Sequence, residues 1–307
     1  MNSNQWRGLG DFFIYRKYDV GYRIFFRDSA LGLLQETSKP ALLLIHGFPT
    51  ASIDWQHLWP TLSEKFRLIT LDMIGFGLSD KPSRYTYSIH DQADIIQNLL
   101  NNLDITHYHI FSHDYGDTVA QELLARQLDR QKQESVPLEM TGKIRSAIFL
   151  NGGLFPETHR PVFIQKLLIS SLGPWLIKLY SYEKFKKTFE FICAQPIAEQ
   201  ELKIYWELLQ HNNGINVMPK LIRYMQERKQ YRQRWVGALE NTHIPLRLID
   251  GTADPISGLH MVVRYRQLIK KSDVVELKNI GHYPQVEAPH EVITAALQFW
   301  KKHNVIK

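Results

Sequence analysis

The stretch HIFSHDYGDTVAQELL, His109 to Leu124, runs from an apolar segment through Ser112-His113-Asp114-Tyr115-Gly116 into a helix-forming pattern. The spacing small-x-nucleophile-x-small belongs to a strand that ends in a sharp turn and hands over at once to a helix, with the apex side chain raised above the sheet. Ser112 and Gly116 are small where strand and helix crowd, and Asp114 stands at the apex, where such a turn usually carries serine. An Asp just before a helix also suits a plain N-cap. The other strand ends have to decide between the two.

Working outward, the runs ALLLIHGF, FRLITLDMIGFG, YHIFSHD, RSAIFLNGG and PLRLIDGTAD are each apolar and end in a polar or glycine-bearing loop. Such continuous runs suit strands of a parallel sheet covered on both faces. Helical patterns lie between them, including Ser88 to Leu103 and Gly116 to Leu128, and FFIYRKY and YRIFFRDS, parted by Asp-Val-Gly, form an opening hairpin. The alternation predicts a doubly wound, mostly parallel α/β sheet. It breaks once: between IFLNGG and PLRLIDG the chain is mostly helical, interrupted by Gly173-Pro174, Pro196, HNNG and Pro219. Residues 1–154 and 238–307 are therefore expected to form the core domain, with 155–237 a helical cap inserted between two core strands. Open α/β sheets bind ligands beyond the carboxyl ends of their strands, so this cap would roof the site and exclude water.

A length of 307 residues suffices for one large α/β domain, and the composition is that of a globular protein. No run reaches the ~18 apolar residues of a membrane-spanning helix, and the opening MNSNQWRGLGDFF has no apolar segment after a basic start. The expectation is a cytoplasmic protein with no transmembrane segment. A single cysteine, Cys193, excludes an internal disulfide and a cysteine-built zinc site, and neither a metal nor another cofactor is indicated. The net charge of +6 is local, because 155–237 carries 13 Lys and Arg against 7 Glu and no Asp. Within it, KLIRYMQERKQYRQRW aligns Leu221, Tyr224 and Met225 as an apolar stripe, leaving Arg223, Arg228, Lys229 and Arg232 mostly for solvent. No nucleic-acid-binding motif accompanies the charge, so no nucleic acid is expected as partner.

The loops supply the chemistry. HGFP, His46 to Pro49, ends the strand where backbone amides of this architecture help to form an oxyanion hole, and the donors expected here are the amides of Phe48 and Tyr115. Asp254 lies in DGTADP, after the strand that follows the cap, and His282 lies in NIGHYPQVEAP, after the last strand. Nucleophile, acid and histidine thus follow in the chain order expected of such a sheet. Asp72 and Asp80 flank the glycine turn MIGFGLS and read as structural, and Asp117 serves the helix N-terminus. Asn151 ends the apolar run before the cap with an amide, so that strand end offers no acid. Glu157, His159 and Arg160 in PETHRP mark a hinge into the cap, with too few ligands for a metal.

HGFPTASIDW, LDMIGFGLSDKP, SHDYGD and GHYPQVEAP together resemble the α/β-hydrolase superfamily, in its branch of epoxide hydrolases and haloalkane dehalogenases with an Asp nucleophile. NGGLFPETHRP and RKQYRQRWVGAL carry a resemblance within the same superfamily into the cap, so that it covers nearly the whole chain. The resemblance implies Asp114 as nucleophile, His282 as base and Asp254 as its acid partner.

A carboxylate nucleophile gains little over serine in acyl transfer, where it forms a mixed anhydride. On an sp3 carbon bearing a strained or good leaving group it forms a stable alkyl ester, which water activated by His282 then hydrolyses. A departing halide needs N–H donors, and related dehalogenases supply them from Trp or Asn where this chain has Tyr115 and Phe48. An epoxide oxygen needs a proton, and the cap offers Tyr180, Tyr182, Tyr205, Tyr224 and Tyr231, of which Tyr224 is favoured and Tyr205 second. The sequence points to an epoxide hydrolase-like enzyme acting on a small apolar substrate and water. Trp175, Trp206 and Trp235 keep a dehalogenase-like alternative open. An ester hydrolase, or a catalytically silent binding or scaffolding protein on the same fold, also stays open.

Overall fold

The computed structural model describes residues 1–32, 38–132, 142–160, 169 and 173–307. Its strands are β1 (Asp11–Lys17), β2 (Val20–Asp28), β3 (Ala41–Ile45), β4 (Arg67–Leu71), β5 (His107–Ser112), β6 (Lys143–Phe149), β7 (Leu246–Gly251) and β8 (Val274–Leu277). They form one sheet in the order β1-β2-β4-β3-β5-β6-β7-β8. The pairs β1–β2 and β2–β4 are antiparallel and all others are parallel, as the alternation of apolar runs and helices predicts. The hairpin turns at Tyr18 and Asp19, both at positive φ, so it lies ahead of the expected Asp-Val-Gly and Val20 already belongs to β2.

Double coverage explains the unbroken apolar strands. In β3 every residue is buried; Leu43 and Ile45 join the hydrophobic layer on one face and Leu42 and Leu44 the layer on the other. Each such side chain contributes roughly 1.5–3 kcal/mol by leaving water. Helix α1 (Ile89–Asn102) is capped by the Ser88 hydroxyl, which accepts the Asp91 amide. Helix α2 (Tyr115–Lys132) is buried at every position from Tyr115 to Ala125, because it lies beneath the chain that leaves the sheet between β6 and β7.

That excursion includes α3 (Tyr182–Ile192), α4 (Glu199–Gln210), α5 (Tyr224–Gln230) and α6 (Arg232–Asn241). Position 237, the expected end of the cap, falls inside α6, which continues to Asn241. Residues 161–168 and 170–172 of the expected cap lie outside the described residues. HNNG breaks the chain after α4, with Asn212 and Asn213 both left-handed. After β7 come α7 (Leu259–Leu268) and α8 (Pro289–Lys302).

The basic stretch departs from expectation at one position. Leu221, Tyr224 and Met225 are buried as the stripe predicts, and Arg223 and Lys229 are exposed, but Arg228 is only 2 % exposed. It stands four residues after Tyr224, on the same helix face, and the inward face of α5 carries it along. Other arginines of the excursion are spent on ion pairs, Arg234 to the core and Arg232 to the start of the excursion itself. Arg234 reaches Glu122 at 2.7 Å and Asp129 at 2.6 Å, and Arg232 reaches Glu157 at 2.6 Å.

Candidate active site

β5 ends at Ser112 and α2 begins at Tyr115, so the whole turn is two residues long. Asp114 takes φ +47°, a left-handed conformation that costs a non-glycine residue roughly 1 kcal/mol. Backbone hydrogen bonds hold it there: the Asp114 amide donates to the Asn151 carbonyl at 3.0 Å, and the Gly116 amide to that of His113 at 2.8 Å. A Cβ on Gly116 would stand 2.4 Å from the Ile45 carbonyl oxygen, so close helix–strand contact demands glycine. The Ser112 hydroxyl turns away and donates to Asp117 Oδ1 at 2.6 Å.

The two oxygens of Asp114 face different partners. Oδ2 accepts the Phe48 amide at 3.0 Å, and Oδ1 accepts the Tyr224 hydroxyl at 3.4 Å and lies 4.0 Å from His282 Nε2. The Tyr115 amide, the second expected donor, opens α2 directly after Asp114. Aromatic rings close around the carboxylate. The Tyr224 ring lies 4.6 Å from that of Tyr115 and 6.5 Å from that of Phe48, and Asp114 and His282 are each 3 % exposed.

His282 Nδ1 lies 2.8 Å from Asp254 Oδ2. That oxygen also accepts the Ser257 hydroxyl at 2.7 Å and the Asn151 side-chain amide at 3.1 Å, while Oδ1 accepts the Ile256 amide at 2.7 Å. Burial alone would raise the Asp254 carboxyl; the adjacent imidazole and these donors outweigh it and bring its pKa to about 2. Burial alone would lower His282; Asp254 first, with Asp114 behind it, outweighs burial and lifts the pKa to about 9. His113, buried against the Tyr283 ring at 4.7 Å, sends Nε2 to the His282 carbonyl at 2.8 Å. Burial, then the charge of His282, lowers the His113 pKa to about 3, so it serves as a neutral strut.

Several supporting residues escaped the sequence reading. Asn151, read from the sequence only as a residue that is not an acid, binds Gly251 in both directions, at 2.7 and 3.0 Å, besides reaching Asp254; its position at the end of the apolar run before the excursion was the available signal. Glu287 accepts four backbone amides: Gly281 and Tyr283 beside His282, and Ala194 and Gln195 in the turn between α3 and α4. The two glycines after Asn151 make room. A Cβ on Gly152 would stand 2.2 Å from Asp117 Oδ2, and one on Gly153 would overlap Arg228 Nη1 at 1.4 Å.

Other sequence-predicted residues sit apart from this cluster. The Tyr205 hydroxyl donates to Glu201 at 2.8 Å, where Gln56 and His57 also converge. Trp235 commits its indole N–H to Glu122 at 2.8 Å, the Trp206 ring packs at steep angles against Tyr180, Tyr182 and Phe185, and Trp175 is exposed. Asp72 accepts the Ser52 and Leu78 amides, and Asp80 that of Arg23, as structural carboxylates do. Asp117 stands in the first turn of α2 as expected, but burial, reinforced by the charge of Asp114, holds its carboxyl well above the usual range, and a neutral acid gives little to a helix dipole. Glu157 joins Arg232 of α6 to Arg264 of α7. Among the described residues, no three His, Cys or carboxylate side chains converge as metal ligands, and no helix is long and apolar enough to cross a membrane.

Comparison with known proteins sets this geometry in a family. The α/β-hydrolase fold family matches residues 40–289. The mesoderm-specific transcript protein of Mus musculus is 40 % identical over 305 residues, 96 % of this chain and 87 % of that one. A putative hydrolase, LipZ, of Mycobacterium tuberculosis (strain CDC 1551 / Oshkosh) is 37 % identical over 260 residues, 84 % of this chain and 87 % of that one. Haloalkane dehalogenase DbeA of Bradyrhizobium elkani USDA94 superposes with a TM-score of 0.73 at 20 % identity, covering 95 % of this chain and 98 % of that one. The matched span takes in the Asp114 turn, Asp254 and His282, and the sheet order, the tight strand-to-helix turn and the near end-to-end relatives agree: the chain belongs to the α/β-hydrolase fold family.

Proposed function

We propose that the protein is a hydrolase that opens a small, largely apolar epoxide through an alkyl ester on Asp114, with residues 155–237 as the cap over the site. The unequal surroundings of the Asp114 oxygens carry this reading. Oδ2 rests on the Phe48 amide while Oδ1 faces the Tyr224 hydroxyl and, 4.0 Å away, His282 Nε2. Oδ1 attacks the epoxide carbon; as the new C–O bond forms, the ring C–O bond breaks and its oxygen takes the Tyr224 proton. Water then adds to Cγ of the ester, giving one proton to His282, whose imidazole Asp254 orients. Negative charge arises on Oδ2, against the Phe48 and Tyr115 amides. Collapse breaks Cγ–Oδ1. The diol leaves with Oδ1 and takes the proton from His282, and the regenerated Asp114 acid returns its proton to the Tyr224 phenolate.

Forming the ester also removes the charge of Asp114, one of the groups that lift His282, so the imidazole loses part of what keeps it protonated when a base is needed. The competing halide chemistry has weaker support, because the Trp235 indole is already given to Glu122.

The test is covalent capture. In His282→Gln, incubation with styrene oxide should raise the intact mass by one substrate, with the adduct mapped to Asp114 and turnover reduced by ~10²-fold or more. Asp114→Ala should acquire none. An adduct elsewhere, or no product from epoxides, bromoalkanes and p-nitrophenyl esters alike, would sink the proposal, the latter in favour of a silent binding protein.

A further inference from the structure

Arg228 is the arginine of the excursion whose burial the reaction so far leaves unexplained. Its Nη1 donates to the Gly153 carbonyl at 2.7 Å, and its Cζ stands 4.6 Å over the Tyr224 ring. Nη2 is buried without a hydrogen-bond partner, and among the described residues no carboxylate comes within 4.0 Å of the guanidinium. Arg232 and Arg234, on the next helix, both hold acids at 2.6–2.7 Å. Keeping a buried charge without a counterion is costly. Gly153 contributes to that arrangement, since any side chain there would overlap Nη1.

The cation lies over the ring whose hydroxyl touches Asp114 Oδ1. Burial first, then the charge of Asp114 in the turn, opposes loss of the Tyr224 proton, and the charge of Arg228 on α5 favours it; Asp117 of α2 also faces the ring but is held neutral by its own burial. During attack, negative charge leaves Asp114 Oδ1, passes to the epoxide oxygen and settles on Tyr224 as the phenol proton is given up. A fixed cation over that ring interacts more strongly with the phenolate than with the phenol, which lowers the barrier. We infer that Arg228 is a positioning residue that makes Tyr224 a proton donor, and that it thereby suits the site to an oxygen leaving group that must be protonated rather than to a halide. This rests on the epoxide-opening reading given above.

Two measurements on the full chain test it. The first needs no substrate: 3,5-difluorotyrosine placed at position 224 is titrated by fluorine NMR. Its ionisation should become ~10-fold less favourable in Arg228→Met and in Gly153→Ala, which displaces the guanidinium while keeping its charge. An unchanged titration in both overturns the inference. The second compares single-turnover alkylation by an epoxide and by the bromide of the same carbon skeleton. Arg228→Met should slow the epoxide ~30-fold or more and the bromide less than ~3-fold, because bromide leaves without a proton. Equal slowing of both, or of neither, while Tyr224→Phe still slows the epoxide, defeats the Arg228 inference alone. An unaffected Tyr224→Phe defeats the proton-donor reading instead. Should Arg228→Met fail to fold, Arg228→Lys and Gly153→Ala carry both measurements, Lys restoring part of the epoxide rate through its charge.

Discussion

Asp117 shows how three residues' distance from Asp114 changes what a carboxyl can do. It accepts one hydrogen bond, from Ser112, and its Oδ2 is buried without a partner, so ionisation would strand a charge in an apolar setting. Burial first, and the nearby Asp114 charge, hold its pKa well above the unfolded value of 3.8. A carboxyl raised on folding contributes stability that is complete below its unfolded pKa and declines as pH rises toward its folded one. Asp117→Asn keeps an oxygen for Ser112 and has no proton to lose. It should therefore gain on the wild type by about 1 kcal/mol or more between pH 4 and pH 8 in urea unfolding. Parallel pH profiles for the two proteins would show that Asp117 ionises freely.

At the scale of elements, the excursion is bound to the core through α2 and α6. Glu122, whose side chain is 2 % exposed, collects Arg126 at 2.8 Å, Arg234 at 2.7 Å, the Trp235 indole at 2.8 Å and His90 at 3.1 Å. Burial would raise this carboxyl, but the four donors outweigh it and hold it far below its usual range. Removing Glu122 strips the buried Trp235 indole of its acceptor and leaves Arg126 and Arg234 only their more exposed acids, Asp94 and Asp129. Glu122→Ala should cost about 3 kcal/mol in urea unfolding, and protease should cut the excursion before the sheet. A loss below about 1 kcal/mol, the range of exposed pairs, would mean that solvent reaches the cluster freely.

Over the whole molecule, the His282–Asp254 pair ties the loops after β7 and β8, and its strength depends on pH. His282 rises on folding from 6.5 to about 9, so its contribution is complete below pH 6.5 and disappears as pH climbs through about 9. Asp254 falls from 3.8 to about 2, so its contribution is complete above pH 3.8 and disappears as pH drops through about 2. The stability difference between wild type and His282→Gln should thus be greatest near pH 4–6.5 and shrink on the order of 2 kcal/mol by pH 9. Thermal unfolding in a pH series checks this, and a difference that widens toward pH 9 would reverse the assignment of the proton.

The sequence by itself determined what depends on neighbours in the chain. Continuous apolar runs specified strands covered on both faces, and small residues two positions either side of Asp114 specified the tight turn. The order of Asp114, Asp254 and His282 along the strand ends followed from the alternation of elements. Tertiary structure alone decided which polar groups meet across long separations and which charges lose water. Asn151 binds Gly251 across 100 positions, and Glu287 binds Ala194 across 93. The sequence ranked Tyr224 ahead of Tyr205, but only the fold sends the one to Asp114 and the other to Glu201. Arg228 read as a solvated charge because composition and helical period say nothing of a distant glycine that leaves room for a guanidinium. Burial and partner choice are properties of surfaces brought together by folding, and no local stretch carries them.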